Sequence, residues 1–247
     1  MGTEVVLVTG SSRGIGAATA VAAARKGYRV AINYLSEAES ATSVVERIVS
    51  AGGVAQAFAA DISDSASVAR LFSEIDESLG PIRVLVNNAA ISGFRQKFLE
   101  IDLQMIRRVL NTNVLGAFLC AREAVRRMST ENGGDGGTIV NLSSQAARFG
   151  GNQLLPYAAS KGAIESFTIG LAREVANQGI RVNAVSPGII ETDQDAFSDQ
   201  TSVRRILADI PLQRLGTPEE VAEAILWLAS EKAAYITGVV LPVAGGR

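Results

Sequence analysis

The sequence predicts a single α/β domain built on one doubly wound parallel sheet of about seven strands, flanked by helices. Three observations carry this expectation. Short apolar runs rich in β-branched residues alternate with longer helical patterns along the whole chain. The first run opens into a glycine-rich turn and then an alanine-rich helix. No shift in composition and no internal repeat divides 1–247 into two units. Repeated strand-helix alternation of this kind closes with right-handed crossovers.

Composition narrows the chemistry. The chain is 47% hydrophobic, enough for a large core, and its net charge of -2 argues against nucleic acid as a partner. Its single cysteine, Cys120, lies in an apolar run and excludes an intrachain disulfide and a Cys-rich zinc site. The chain has no histidine, which excludes a Ser-His-Asp triad, a Cys-His pair and any His-ligated metal. Acid-base work must then fall to Tyr, Lys, Asp or Glu, and no metal is expected. No signal-peptide pattern opens the chain and no apolar run is long enough to span a membrane, so a soluble cytoplasmic protein is expected.

Taken in order, Glu4 to Val8 reads as the first strand, followed by Thr9-Gly10-Ser11-Ser12-Arg13-Gly14-Ile15-Gly16 and a helix to about Lys26. Glycines at a strand-to-helix turn let main chain approach a pyrophosphate, and the helix N-terminus favours its charge. Thr19 stands where a strict G-x-G-x-x-G would place its last glycine, so the motif is a variant. Tyr28 to Tyr34 is the second strand. A fold that prefers NAD usually carries an acid at its end, on the ribose hydroxyls. Here Asn33-Tyr34-Leu35-Ser36 occupies that place, with no acid before Glu37, while Arg13 lies in the glycine turn. A cation with no carboxylate opposite suits a 2′-phosphate, so NADP is expected over NAD.

Glu37 to Ala51 is the second helix, ended by Gly52-Gly53, and Val54 to Ala59 the third strand. Asp61-Ile62 follows at the edge where ligands bind in open parallel sheets. Asp61 could accept from an adenine amino group or cap the helix starting near Asp64; both readings stay open. The fourth strand, Ile82 to Val86, ends in Asn87-Asn88-Ala89-Ala90. Small residues there let a cofactor lie close, and the amides can fix main-chain turns. One long helix is expected from about Asp102 to Met128, with Asn113 inside it as a packing amide or a kink. Thr138 to Leu142 is the fifth strand and delivers Ser143-Ser144 to the same sheet edge. A helix from Tyr157 to about Ala176 and the strand Ile180 to Val185 follow, leading into Pro187-Gly188-Ile189-Ile190-Glu191-Thr192. The polar stretch about 191–210 reads as a mobile substrate lid. Thr217-Pro218-Glu219-Glu220 is a capping box opening a helix to about Ser230. Gly238 to Val243 is the last strand, with Pro242 suited to an edge.

The chemistry concentrates at Tyr157-Ala-Ala-Ser-Lys161, with Ser144 upstream. Spacing of four residues puts Tyr157 and Lys161 on one helix face. A free tyrosine has a pKa of about 10, and a nearby ammonium favours the phenolate and lowers it. A Ser hydroxyl alongside could hold a carbonyl oxygen. Such a set serves an oxygen that becomes an alkoxide when a hydride reaches its carbon.

Together, Thr9-Gly10-x-x-x-Gly14-Ile15-Gly16, Asn87-Asn88-Ala89, Asn113, Ser144, Tyr157-x-x-x-Lys161 and Pro187-Gly188 resemble, in order and register, the short-chain dehydrogenase/reductase family over nearly the whole chain. Within it the chain is most similar to the β-ketoacyl-(acyl carrier protein) reductase and glucose dehydrogenase group. The resemblance implies a Rossmann-type fold and hydride transfer between NADP(H) and a carbonyl or secondary alcohol. It implies Tyr157 as proton donor or acceptor, Ser144 as holder of the substrate oxygen, Lys161 on Tyr157 and the nicotinamide ribose, and Asn113 holding a water in a proton relay. The cofactor would meet Gly10, Ser12, Arg13, Gly14, Ile15 and Gly16, then Asn33 and Tyr34, Asp61 and Ile62 at the adenine, and Asn88 and Ala89. It would end on Tyr157, Lys161, Pro187 and Gly188, with Ile190 and Thr192 at the nicotinamide amide. The helices near 102–128 and 157–176 would form a dimer face within a homotetramer. Ala90 stands where the family usually has Gly, and Ala244 where an acid often stands. The substrate would be a small molecule: a 3-oxoacyl thioester, or alternatively a sugar. A non-catalytic NADP(H) sensor and a Ser-Lys hydrolase using Ser144 are the rival readings; the latter lacks nucleophile-elbow glycines and leaves the glycine turn idle.

Overall fold

The computed structural model describes residues 4–191 and 207–247. Thr192 and most of the stretch read as a lid therefore lie outside the described residues.

The strands are β1 (Val5–Val8), β2 (Arg29–Tyr34), β3 (Val54–Ala59), β4 (Ile82–Asn87), β5 (Gly137–Leu142), β6 (Ile180–Pro187) and β7 (Val240–Val243). They form one sheet in the order β3-β2-β1-β4-β5-β6-β7, and every neighbouring pair is parallel. Strand order reverses between β1 and β4. The crevice outside the carboxyl ends of these two strands is where such sheets take ligands.

The helices are α1 (Gly14–Arg25), α2 (Ala38–Ser50), α3 (Ser65–Ser78), α4 (Leu103–Leu110), α5 (Gly116–Met128), α6 (Ala146–Phe149), α7 (Leu155–Val175) and α8 (Pro218–Ala229). Successive strand residues face opposite sides of the sheet, and here both sides are covered. Val5 and Leu7 join Phe72, Leu85, Ile139 and Val182 in one core layer, under α3, α5 and α7. Val6 and Val8 join Ile32, Val86, Val140 and Ile225 in the other, under α1, α2 and α8. Two buried faces explain why these strands read as unbroken apolar runs rather than alternating ones.

Three local features differ from expectation. The single helix expected over 102–128 is interrupted: α4 passes through a π turn, Asn111–Leu115, into α5. Asn113 is nearly inaccessible there, and its side chain bonds the main chain of Ile91 rather than solvent. A π turn inside an α-helix frequently marks a functional site. The short helix α6, between Ser144 and Tyr157, has no strong sequence signal. The start of α7 precedes Tyr157, with Pro156 in its first turn. The expected capping box of α8 is present, Thr217 and Glu220 bonding each other's main chain. Pro242 lies in the edge strand β7.

Candidate active site

The glycine turn is built so that no side chain fills it. Gly10 and Gly14 adopt φ of +60° and +54°, a region L side chains avoid. A Cβ on Gly10 would sit 2.8 Å from Ala89 Cα, and one on Gly16 2.6 Å from Asn88 Nδ2. Asn88 locks the turn from across the sheet: its Nδ2 donates to the carbonyls of Thr9 at 2.8 Å and Gly10 at 2.9 Å. Thr9, given no role from sequence beyond its place in the motif, accepts at Oγ1 from the main-chain N–H groups of Asn88 and Ala89. Helix α1 begins with no side-chain cap and no acid in its first turn. Its free N–H groups and dipole suit an anion at this crevice, so the cradle fits the diphosphate of a dinucleotide.

Several expected contacts are rearranged. Arg13 does have a carboxylate opposite: its Nη1 lies 3.2 Å from Glu37 Oε1, and Ser12 Oγ donates to Glu37 Oε2 at 3.1 Å. The premise of an unopposed cation is therefore corrected, because the turn after β2 folds Glu37 back over the glycine loop. Asn33 is buried, and its side chain is spent inside the protein. Its Oδ1 accepts from the N–H of Gly10, and its Nδ2 donates to the carbonyls of Phe58 and Ala60. It braces the loop rather than meeting a ribose through its side chain. Ile62 is likewise a core residue, packed against Gly116, so only its main chain can face an adenine. Asp61 does not cap α3. Its Oδ1 accepts from Ser63, while Asp64 is the cap, accepting from the N–H of Ser67 at 2.7 Å. Ile190 is partly buried and bridges to Gly216, with its side chain toward the core. Tyr34 ends β2 beside the crevice.

The two family departures have local explanations. Ala90 is exposed and is absent from the positive-φ residues, so alanine fits the backbone there without strain. Ala244 packs against Gly188, whose Cβ would lie 2.8 Å from Ala244 Cα. Pro187 and Gly188 are held in turn by Gln145 N–H and by the Val243 carbonyl. Gln145 also donates from Nε2 to Ser186, tying the ends of β5 and β6 together.

Ser144, Tyr157 and Lys161 meet at the carboxyl end of β5. The Lys161 ammonium nitrogen lies 5.7 Å from the centre of the Tyr157 ring. It donates to the Leu142 carbonyl at 2.6 Å and is 4% exposed. Burial pulls the Lys161 pKa down to about 8, which still leaves it charged at neutral pH. Burial pushes the Tyr157 phenol above its ordinary range, and the hydrogen bond from its neighbour Ser144 draws it partly back. Desolvation is the larger of the two influences on this phenol. Asn113 stands behind the set. Its Oδ1 accepts from Ile91 N–H, and its Nδ2 donates to the Ile91 carbonyl and to Ser160 Oγ at 3.0 Å. The side chain thus links the loop at 91 to α7.

A crevice for a dinucleotide thus opens beside a hydroxyl pair and a buried lysine, on a parallel sheet reversing at β1 and β4. Residues 10–247 match the family model described as enoyl-(acyl carrier protein) reductase. The chain belongs to the short-chain dehydrogenase/reductase family. It is 50% identical over 245 residues to an uncharacterized oxidoreductase, YgfF, of Escherichia coli K12, covering 98% of this chain and 99% of that one. It is 39% identical to the 3-oxoacyl-[acyl-carrier-protein] reductase FabG of Staphylococcus aureus Mu50, over 99% of this chain and 98% of that one. A solved structure of a blue fluorescent protein from a metagenomic library, in complex with NADPH, superposes with a TM-score of 0.90 at 36% identity. That match covers 98% of this chain and 97% of the other. The protein is an oxidoreductase of this family, acting between CH–OH and carbonyl groups. Among the described residues no helix is long and apolar enough to cross a membrane, and no cluster of potential ligands could hold a metal ion.

Proposed function

We propose that this protein uses NADPH to reduce a 3-oxoacyl thioester to the 3-hydroxy compound. The observation that carries the reading is the meeting of Ser144, the Tyr157 hydroxyl and the buried Lys161 at the carboxyl end of β5, where the ammonium lies 5.7 Å from the centre of the Tyr157 ring. A phenol that holds its proton at neutral pH is a donor, which suits the reductive direction. When bound, the dinucleotide supplies the hydride to the carbonyl carbon. Ser144 and Tyr157 hold the carbonyl oxygen, and as the C=O π pair moves onto that oxygen Tyr157 releases its proton to it. The phenolate left behind faces the Lys161 ammonium. A positioned acid of this kind is worth about 10²–10⁴-fold in rate.

Residues of the chain that would hold the cofactor are the turn from Gly10 to Gly16, braced by Asn33 and Asn88, then Ala89 and Lys161. The choice of NADP rests on Arg13, which borders a cavity of about 590 Å³ also lined by Ser40, Ser43 and Arg47. A 2′-phosphate there would compete with Glu37 for Arg13, an exposed ion pair of small worth. The NADPH-bound relative and the FabG relative support this choice. The protein works as a homotetramer in this reading, using the apolar side chains that α4, α5 and α7 leave exposed, among them Leu103, Phe118 and Ile169.

The test is NADPH consumption with an acetoacetyl thioester, with NADH and Tyr157→Phe in parallel. Turnover with NADPH, weak with NADH and lost in the Phe variant while NADPH still binds, supports the proposal. Undiminished turnover in the Phe variant would refute the role of Tyr157. Turnover confined to sugars and NADP⁺ would move the substrate to the dehydrogenase branch.

A further inference from the structure

We propose that Glu165 is a positioning residue for the reaction read above, holding the turn that carries Ser144 against the helix that carries Tyr157. The inference rests on that reading for its kinetic consequences and on the following geometry for its cause. Ser144 and Tyr157 belong to different elements, and their hydroxyls must stay in register for one carbonyl oxygen to meet both. Misplacement by about 1 Å can cost a reaction on the order of 10²-fold.

Three successive residues leaving β5 are each tied to α7. Asn141 Nδ2 donates to Thr168 Oγ1 at 2.9 Å, and Lys161 Nζ donates to the Leu142 carbonyl at 2.6 Å. Ser143 Oγ donates to Glu165 Oε1 at 2.7 Å. Positions 161, 165 and 168 fall on one face of α7, so the helix grips the strand end along a single line. The first two ties act while the chain is still in the sheet. Main-chain bonds to β6 flank Ser144, from Ser143 N–H to the Val185 carbonyl and from Gln145 N–H to the Pro187 carbonyl. They fix the turn against the sheet, not against the helix that carries Tyr157. The tie to Glu165, made by the residue next to Ser144, is the one that joins the turn to α7.

It is also suited to that work. A hydroxyl donating to a carboxylate makes a short, charge-assisted bond, stronger than one between neutral groups. Ser143 is buried, so little water competes for the bond. The Lys161 carbonyl, the other acceptor near Ser143 Oγ, is farther away at 3.3 Å. Glu165 reaches the reacting atoms only through Ser143 and Ser144.

The experiment compares Glu165→Leu, Glu165→Gln, Ser143→Ala and the Leu/Ala double variant with the wild type. Glutamine can still accept from Ser143, and leucine cannot. Support is a kcat reduced roughly tenfold or more in the Leu variant with KM for NADPH held within about twofold, and a Gln variant close to wild type. Ser143→Ala, which needs no change on α7, should lose a similar amount, and the double variant should be no worse than either single one. A Leu variant with wild-type kcat, or a Gln variant as impaired as the Leu one, overturns the proposal. Crystal structures of the wild type and the Leu variant read the position without turnover. A Ser144 hydroxyl that leaves Tyr157 supports the role, and an unmoved one refutes it whatever substrate the enzyme takes.

Discussion

At the amino-terminal edge of the sheet, Arg181 donates to the carbonyls of Leu228, Ala229, Ser230 and Ile236 and to Thr138 Oγ1. At the carboxyl-terminal edge, the Tyr157 and Ser144 hydroxyls are neighbours, next to a lysine that burial has brought down to about pKa 8. Both edges remove polar groups from water, to different ends. The amino-terminal edge surrounds a cavity of about 800 Å³, lined by Arg181, Arg83, Glu4 and Tyr28, yet its cations are matched. Arg83 faces Glu4 and the Gly136 carbonyl, and Arg181 closes the end of α8. The carboxyl-terminal edge keeps its proton donor and its unfilled N–H groups for something that arrives. Volume alone does not mark a reactive site, and neither does a shifted pKa, since burial shifts Tyr28 and Arg181 too; uncommitted donors make the difference.

The sharpest way to break this contrast is Gly16→Ala. Its new methyl would lie 2.6 Å from Asn88 Nδ2 and from the Gly10 carbonyl, where main chain cannot give way cheaply. Overpacking of this kind costs about 1–3 kcal/mol, which, where it falls on the cofactor-binding turn, is roughly 5- to 150-fold in affinity. A fluorescence titration with NADPH should show that loss, and unchanged affinity would mean the turn does not receive the cofactor. Arg181→Met at the opposite edge should cost about 1–2 kcal/mol of stability by stranding the last carbonyls of α8. Denaturant unfolding measures it, and kcat should stay within about twofold because the residue lies on the far side of the sheet. A large fall in kcat would show the two edges to be coupled. The smallest effect is the pH profile. Lys161 is charged below about pH 8 and neutral above it, while Tyr157 stays protonated over that range. Turnover should decline as pH rises through about 8, and Lys161→Arg should abolish that limb; a profile flat to pH 9 would remove Lys161 charge from the mechanism.

The difference between the edges also decides what the sequence could disclose. Glycine spacing, the Tyr157–Lys161 interval and the apolar strands are local patterns, and the structure has the turn, the helix face and the strands they predict. Helix α8 was legible to its cap because Thr217 and Glu220 are three residues apart. What stayed hidden depends on chain segments meeting from afar. Glu37 closes on Arg13 only after β2 has turned, so the loop looked like an unopposed cation. Asn33 and Ile62 sit at the right edge but point inward, because the neighbouring strand and α5 claim their side chains. The phenol of Tyr157 was expected to be lowered by Lys161. Spacing gives the neighbour but not the burial, which raises the phenol.

Strand β7 has a consequence beyond the site. Among the described residues it ends the sheet, pairing with β6 alone, and Pro242 stands within it opposite Ser186. Proline offers no N–H, so a strand from another molecule would find a missing rung in the ladder it tried to extend. That side of the sheet is guarded against edge-to-edge aggregation into a shared, growing sheet.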